Sequence, residues 1–372
     1  MKIINIALAL LMVAVMLPVM AMAAEVTTAE DLKAAVAAGG EVTLGDNIAA
    51  SITIPKDKTV TLNLNGKTLT NEADMDTITV ALGGTLTIEG TGTVDNDSHG
   101  RAAVYNNGTV TINGGTYTRS AEKGTGKDPD SNNGNSWYTI CNHGVMTVNA
   151  GVTVTNTGTF SSVFENGYQS YTGNNERSNY VAGTNNAAPA LTINGGTFEG
   201  GKITIKNDDG GILKIGGGRF TNNGNRVVFN ANKAEINGGE FYCPATYFGN
   251  EIAVDTLYAD GGQNAGQLTI TGGTFDGKVT QSNGAVTTVS GGTFKKGVDK
   301  SYIVDGKKLD ANGNVVPESI TIIVPSDGGN TTTTPSTDNT KNPGTGANDF
   351  VGVAAAMAVV SLLGAAAVIR KK

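Results

Sequence analysis

Cysteine is almost absent: Cys141 and Cys243 are the only two in 372 residues. That excludes a framework stapled by several disulfides. A single bridge in an exported protein is one reading, although sequence alone does not place the two thiols within bridging distance. Two small buried thiols is the other. Charge is scarce as well, at 16% of residues, and it leans acidic, with 26 basic against 33 acidic side chains. An acidic chain argues against nucleic acid and against anionic membrane surfaces as partners. Zinc, nucleotide-binding and nucleophile-elbow motifs are missing, and so is the nonapeptide calcium repeat. The expectation is no cofactor and no metal site, with calcium unsupported.

Glycine is abundant, at 52 residues against 9 prolines. With so little charge, that composition by itself suggests a chain without a core. Periodicity excludes this. One phrase recurs: an apolar–Thr–apolar strand, a polar residue, Gly-Gly, then Thr, Arg or Glu and an aromatic. It reads VTINGGTY at 110–117, LTINGGTF at 191–198, LKIGGGRF at 213–220, AEINGGEF at 234–241, LTITGGTF at 268–275 and TTVSGGTF at 287–294. Degenerate copies stand at 86–94 and 146–154. The second glycine of each copy falls at 92, 115, 151, 196, 218, 239, 273 and 292. A base period of roughly 20 residues with additions is the mark of a solenoid.

The local pattern identifies the kind of solenoid. Leu191 and Ile193 alternate with Thr192, so two side chains point inward and one outward. β-Branched residues favour strand over helix. Gly195-Gly196 supplies a bend where positive φ is cheap, and Phe198 then turns back into the core. Upstream lies a second strand unit ending in Asn, as in AVYNNG at 103–108, TICNHG at 139–144 and ITIKND at 203–208. Each coil therefore carries at least two strands, and three fit best, stacked about 4.8 Å apart around one shared core. Leucine-rich repeats have a similar period but need Leu at fixed offsets with Asn or Cys, which this chain lacks. The expected fold is all-β, a right-handed parallel β-helix over 41–300. The asparagines at 106, 142, 166, 207 and 230 are expected to form a structural ladder rather than a ligand set.

The solenoid needs caps. Thr27-Thr28-Ala29-Glu30-Asp31 reads as a capping-box-like helix start, with Leu32, Ala35 and Val36 on one face and Gly39-Gly40 as the stop. A short helix within 24–40 would cover the open end of the core. Residues 301–324 read as one or two closing strands, and 325–341 as a Thr/Pro-rich linker without a core. The stretch at 40–70, GEVTLGDNIAASITIPKDKTVTLNLNGKTLT, together with the GGTF repeats, resembles pectin-lyase-like β-helix proteins over roughly 27–300. That resemblance speaks for fold and not for activity.

The two ends carry topology. Lys2, an apolar run to about Met20 and the small residues Ala21 and Ala23 make a secretory signal peptide over 1–23. Phe350 to Ile369 is an apolar stretch long enough to span a bilayer, followed by Arg370, Lys371 and Lys372. Just before it stand Asn342, Pro343, Gly344, Thr345 and Gly346. This NPGTG, apolar span and basic tail over 342–372 resembles a Gram-positive sortase sorting signal, in the NPxTG variant of LPxTG associated with class B-type sortases. The resemblance implies a sortase as processing partner, cleavage between Thr345 and Gly346, and attachment of Thr345 to peptidoglycan. Loss of Lys2, Asp349, Arg370, Lys371 and Lys372 would leave 22 basic and 32 acidic side chains, a net charge of −10.

Function is expected at insertions into the repeat, because loops on rigid scaffolds carry binding. Three stand out: 118–137 with Trp137 and the neighbouring Tyr138, 168–187 with Tyr168, Tyr171 and Tyr180, and 243–265 with Tyr247, Phe248, Tyr258 and Asp260. If the coil register holds, the first two flank one strand row, which becomes a groove floor. Trp137, Tyr138, Tyr168, Tyr171 and Tyr180 are ligand-binding candidates, since such rings stack on sugars. The alternative is that they staple long loops to the solenoid.

For catalysis the candidates are Glu165, Asp208 and Asp209, because glycoside hydrolysis needs two carboxylates across the bond. Polygalacturonases carry an Asp-Asp pair before a Gly-His-Gly. Here Asn142-His143-Gly144 comes first, the glycine before His143 is missing and no Arg-Ile-Lys follows. His143 reads as a turn residue. The expectation is an anchored, adhesin-like surface protein that contacts a host or dietary glycan, or a surface protein, without catalysis. A wall-attached polysaccharide lyase or glycoside hydrolase and a structural spacer are the alternatives.

Overall fold

The computed structural model describes residues 24–98, 100–120, 137–156, 162–168, 170–171, 174–175, 189–208, 210–222, 225–244, 251–257, 265–282 and 284–318. The signal peptide, the linker and the sorting signal therefore lie outside the described residues. No helix among those described is long and apolar enough to cross a membrane.

Three long parallel sheets of 11, 9 and 10 strands run the length of the molecule. Each regular coil contributes one strand to each sheet in turn. A coil such as Ile203–Asn207, Ile212–Ile215 and Arg219–Thr221 shows the order. The first strand joins the sheet here called the asparagine sheet, the second the pre-glycine sheet and the third the aromatic sheet. The fold is thus an all-β parallel β-helix with three strands per coil, as the repeat phrase predicts.

The pleat explains the burial. In Ala190–Ile193, Leu191 and Ile193 are buried and Thr192 is half-buried on the outside. The same apolar columns recur from coil to coil, so their side chains merge into one core from Val26 to Phe294. Within it, Phe198, Phe220, Phe241, Phe275 and Phe294 stack face to face, each ring centroid 4.8 Å from the next. That spacing is the inter-strand distance itself.

The Gly-Gly corner has two distinct causes. At the first glycine the previous coil is too close for a side chain: a Cβ on Gly238 would stand 2.4 Å from the Gly216 carbonyl oxygen. At the second the backbone is left-handed, with φ +101° at Gly239.

The asparagine ladder is present. Asn106 Nδ2 donates to Asn142 Oδ1, Asn142 to Asn166, Asn166 to Asn207 and Asn207 to Asn230, at 2.7–2.8 Å. Each amide also donates to a backbone carbonyl of the following coil, as Asn166 does to Ile212 at 3.1 Å. All five are fully buried. A buried amide left unsatisfied is costly, so the ladder fixes register.

Both ends of the core are closed within the described residues. The helix Ala29–Ala38 is capped by Thr28, whose hydroxyl accepts from Asp31 N–H, and it buries Leu32 and Val36. A strand not expected from the sequence, Ala24–Val26, precedes it and pairs in parallel with Val42–Leu44. At the other end, the expected closing segment contains a short 3₁₀ turn at Lys300–Tyr302 and an antiparallel pair, Lys307–Leu309 with Val315–Pro317. The insertion expected over 243–265 needs correction. It contains Ile252–Thr256, a strand of the asparagine sheet paired with Arg226–Asn230 on one side and Lys278–Gln281 on the other. Its apolar alternation was hidden between the two stretches of loop composition.

Candidate functional site

The outer face of the asparagine sheet differs from the other two. One outward column, immediately before the ladder asparagine, runs Tyr105, Cys141, Glu165, Lys206, Phe229, Asp255 and Thr280. Both faces of Tyr138–Asn142, Ser162–Asn166 and Ile203–Asn207 are buried, whereas strands of the pre-glycine sheet bury only alternate residues. The chain enters this sheet at Tyr138 after the insertion at 118–137 and leaves it after Asn166 before that at 168–187, and most of both insertions lies outside the described residues.

Charge on this face is arranged in partnered groups. Lys206 Nζ lies 2.5 Å from Asp208 Oδ2 and donates to the Tyr138 hydroxyl at 3.2 Å. It also sits 5.7 Å from the Tyr138 ring centroid and 5.9 Å from that of Phe229, where the ring faces favour a cation. One coil on, Arg226 Nη1 pairs with Asp255 Oδ2 at 2.5 Å, and Thr280 donates to the same carboxylate at 2.7 Å. The Arg226 guanidinium covers the other approach to Phe229, at 5.7 Å.

His143 occupies the turn after its strand, as expected, but its ring is built into the cluster. Nδ1 lies 3.2 Å from the Tyr105 hydroxyl and Nε2 lies 3.8 Å from Glu165 Oε2. Tyr168 packs against the imidazole with centroids 4.9 Å apart. A hydroxyl, an imidazole and a carboxylate are thus neighbours here, but 3.8 Å between Nε2 and Oε2 is longer than a hydrogen bond.

The sequence candidates separate on this geometry. Glu165 is placed one coil from Lys206 and Asp208, as a carboxylate pair across coils requires. Asp208 is held by Lys206, and Asp209 lies outside the described residues. Tyr138 and Tyr168 are buried, at 4% and 9% exposure, so their rings are turned onto the solenoid rather than presented as open platforms. Trp137 is half-buried and packs with Tyr138 on an apolar patch that includes Ala102 and Cys141. Tyr171 lies in a two-residue strand paired with Asn174–Asn175, and Tyr180 lies outside the described residues. Cys141 and Cys243 are both buried thiols. Among the described residues no three His, Cys, Asp or Glu side chains gather into a group able to hold a metal ion.

Sequence reasoning missed Tyr105, Lys206, Arg226, Phe229 and Asp255. A signal was available. Once the strand units are aligned on their terminal asparagine, the preceding residue reads Tyr, Cys, Glu, Lys and Phe, where outward positions of the other sheets are mostly threonine.

Comparison with known proteins finds no matching family model, no matching curated relative and no matching solved structure, so the reading of this face rests on its own geometry.

Proposed function

We propose that the protein is a surface-displayed, right-handed parallel β-helix of the pectin-lyase-like kind that binds glycan without cleaving it. In this reading residues 1–23 direct export, sortase joins Thr345 to peptidoglycan, and the linker at 325–341 holds the solenoid away from the wall. The observation that carries the binding role is one outward face on which the half-buried rings of Tyr105, Trp137 and Phe229 stand beside partnered charges. Polar side chains in mixed donor–acceptor pairs beside aromatic surface suit hydroxyl-rich ligands. Against catalysis stands the commitment of Asp208 to an ion pair with Lys206.

A hydrolase or lyase is the second reading, favoured by the closeness of Tyr105, His143 and Glu165 alone. Size-exclusion chromatography of labelled polysaccharides incubated with residues 24–345, with and without calcium, separates the two. A shift to larger size means binding. A shift to smaller size means cleavage and overturns the proposal, and its abolition in His143→Ala and Glu165→Gln would assign the acid–base groups. Anchoring is tested by Thr345→Ala, which is expected to move the protein from the muramidase-released wall fraction to the membrane fraction.

A further inference from the structure

Away from the asparagine sheet, the Gly-Gly corners line up over successive coils. Because these corners carry no side chains, they leave a groove of about 830 Å³ running along the solenoid axis from Gly218 to Gly292, closed at one end by Asn314 and Val315 of the terminal hairpin. A second cleft of about 340 Å³ lies over the adjoining strands of the aromatic sheet and shares Arg219, Glu240 and Thr274 with the first. Each by itself falls within the size range of ligand sites.

Three features make this more than an empty corner. Coil-to-coil backbone bonds run from the N–H groups of Glu240, Thr274 and Thr293 to the carbonyls of Gly218, Gly239 and Gly273. These bonds hold the successive Gly-Gly corners in register along the groove. Tyr242, at 43% exposure, is the one exposed aromatic ring among the described residues, and it lies in the second cleft. Around it Arg219 and Lys295 are balanced by Glu240 and Asp276, with Lys295 Nζ 3.1 Å from Asp276 Oδ2.

We infer that this groove binds a neutral, linear polysaccharide, laid along the solenoid axis with sugar rings on Tyr242. The four charges sum to zero, so they select neither an anionic nor a cationic polymer. They offer donors and acceptors of both kinds, as hydroxyl groups do. The coil-to-coil rise of 4.8 Å repeats the same Gly-Gly corner at about the length of one sugar unit in an extended chain. The inference rests on the glycan-binding reading for the polymer class, but its location is independent of the asparagine face.

The test is isothermal titration of residues 24–345, a length that includes the whole capped core, with mixed-linkage β-glucan, xylan, galactomannan and polygalacturonate. Tyr242→Ala, Thr274→Trp and Trp137→Ala are compared with the native protein, with circular dichroism melts to confirm folding. Binding of at least one neutral polymer is expected, weakened tenfold or more by Tyr242→Ala and by the groove-filling Thr274→Trp. Preference for polygalacturonate overturns the neutral class. Native affinity in both groove variants overturns the site. If Trp137→Ala then loses binding, the glycan-binding function survives on the other face. No binding to any polymer overturns both.

Discussion

The aromatic sheet and the asparagine sheet are stacked by the same coils, yet they are built on opposite principles. On the aromatic sheet each coil from Phe198 onward repeats the last: glycine, a polar residue, then phenylalanine into the core. On the outer face of the asparagine sheet successive coils place Tyr, Cys, Glu, Lys, Phe and Asp in one column. Repetition serves packing, because identical side chains at 4.8 Å spacing stack on themselves. Charge does not tolerate repetition, because like charges one coil apart repel. That column therefore varies, with Lys206 paired to Asp208 and Asp255 to Arg226.

The sharpest way to break the comparison is through the phenylalanine stack. Phe241→Ala removes a ring between two others and is expected to cost about 3–5 kcal/mol by denaturant unfolding. Unfolding should begin at the coils around it, since a solenoid's stability is a sum of neighbour terms. On the other face, Lys206→Met deprives buried Asp208 of its cation and is expected to cost about 3 kcal/mol. Adding Asp208→Asn should restore much of that loss, and a double-mutant cycle measures the coupling. Additive losses would mean that the pair contributes nothing as a pair.

Between the two principles stands the buried ladder. Asn166→Ala leaves the Asn142 amide without its side-chain acceptor and is expected to cost about 2 kcal/mol. Hydrogen exchange should then quicken at Asn142 and Asn207 before it does at Phe220.

The smallest effect concerns Asp76, whose carboxyl burial holds above its usual pKa, against the pull of the Ala102 N–H bond and of Arg101 and Arg119. A carboxyl with a raised folded pKa binds its proton more tightly in the native state. Its contribution is most favourable at low pH and declines as pH rises through that folded pKa. Asp76→Asn is therefore expected to stabilise by less than about 1 kcal/mol at pH 7, with no gain near pH 4. Thermal melts at the two values check the sign.

Much of this was legible beforehand because solenoids are nearly one-dimensional. Leu191, Thr192, Ile193, Gly195, Gly196 and Phe198 state, within eight residues, which side chains face in, where the chain bends and what stacks on the next coil. Asn142 and its counterparts were legible as a ladder for the same reason. The candidate site was only partly so. Glu165 and Asp208 stood out as acids, but their partners His143 and Lys206 come from other positions in the strand units. Only stacking tells which side chain of one coil meets which of the next. The strand Ile252–Thr256 escaped because it is isolated between stretches of loop composition and has no glycine pair beside it.

By itself, then, the sequence determined the repeat, the inward and outward faces, the glycine corners and the capping helix, since each follows from local periodicity and backbone sterics. The tertiary structure alone decided that Lys206 meets Tyr138, that His143 lies between Tyr105 and Glu165, and that side-chain-free corners merge into a groove beside Tyr242. Those are relations between coils separated by additions of unequal length, and the register that brings them together exists only once the coils are stacked.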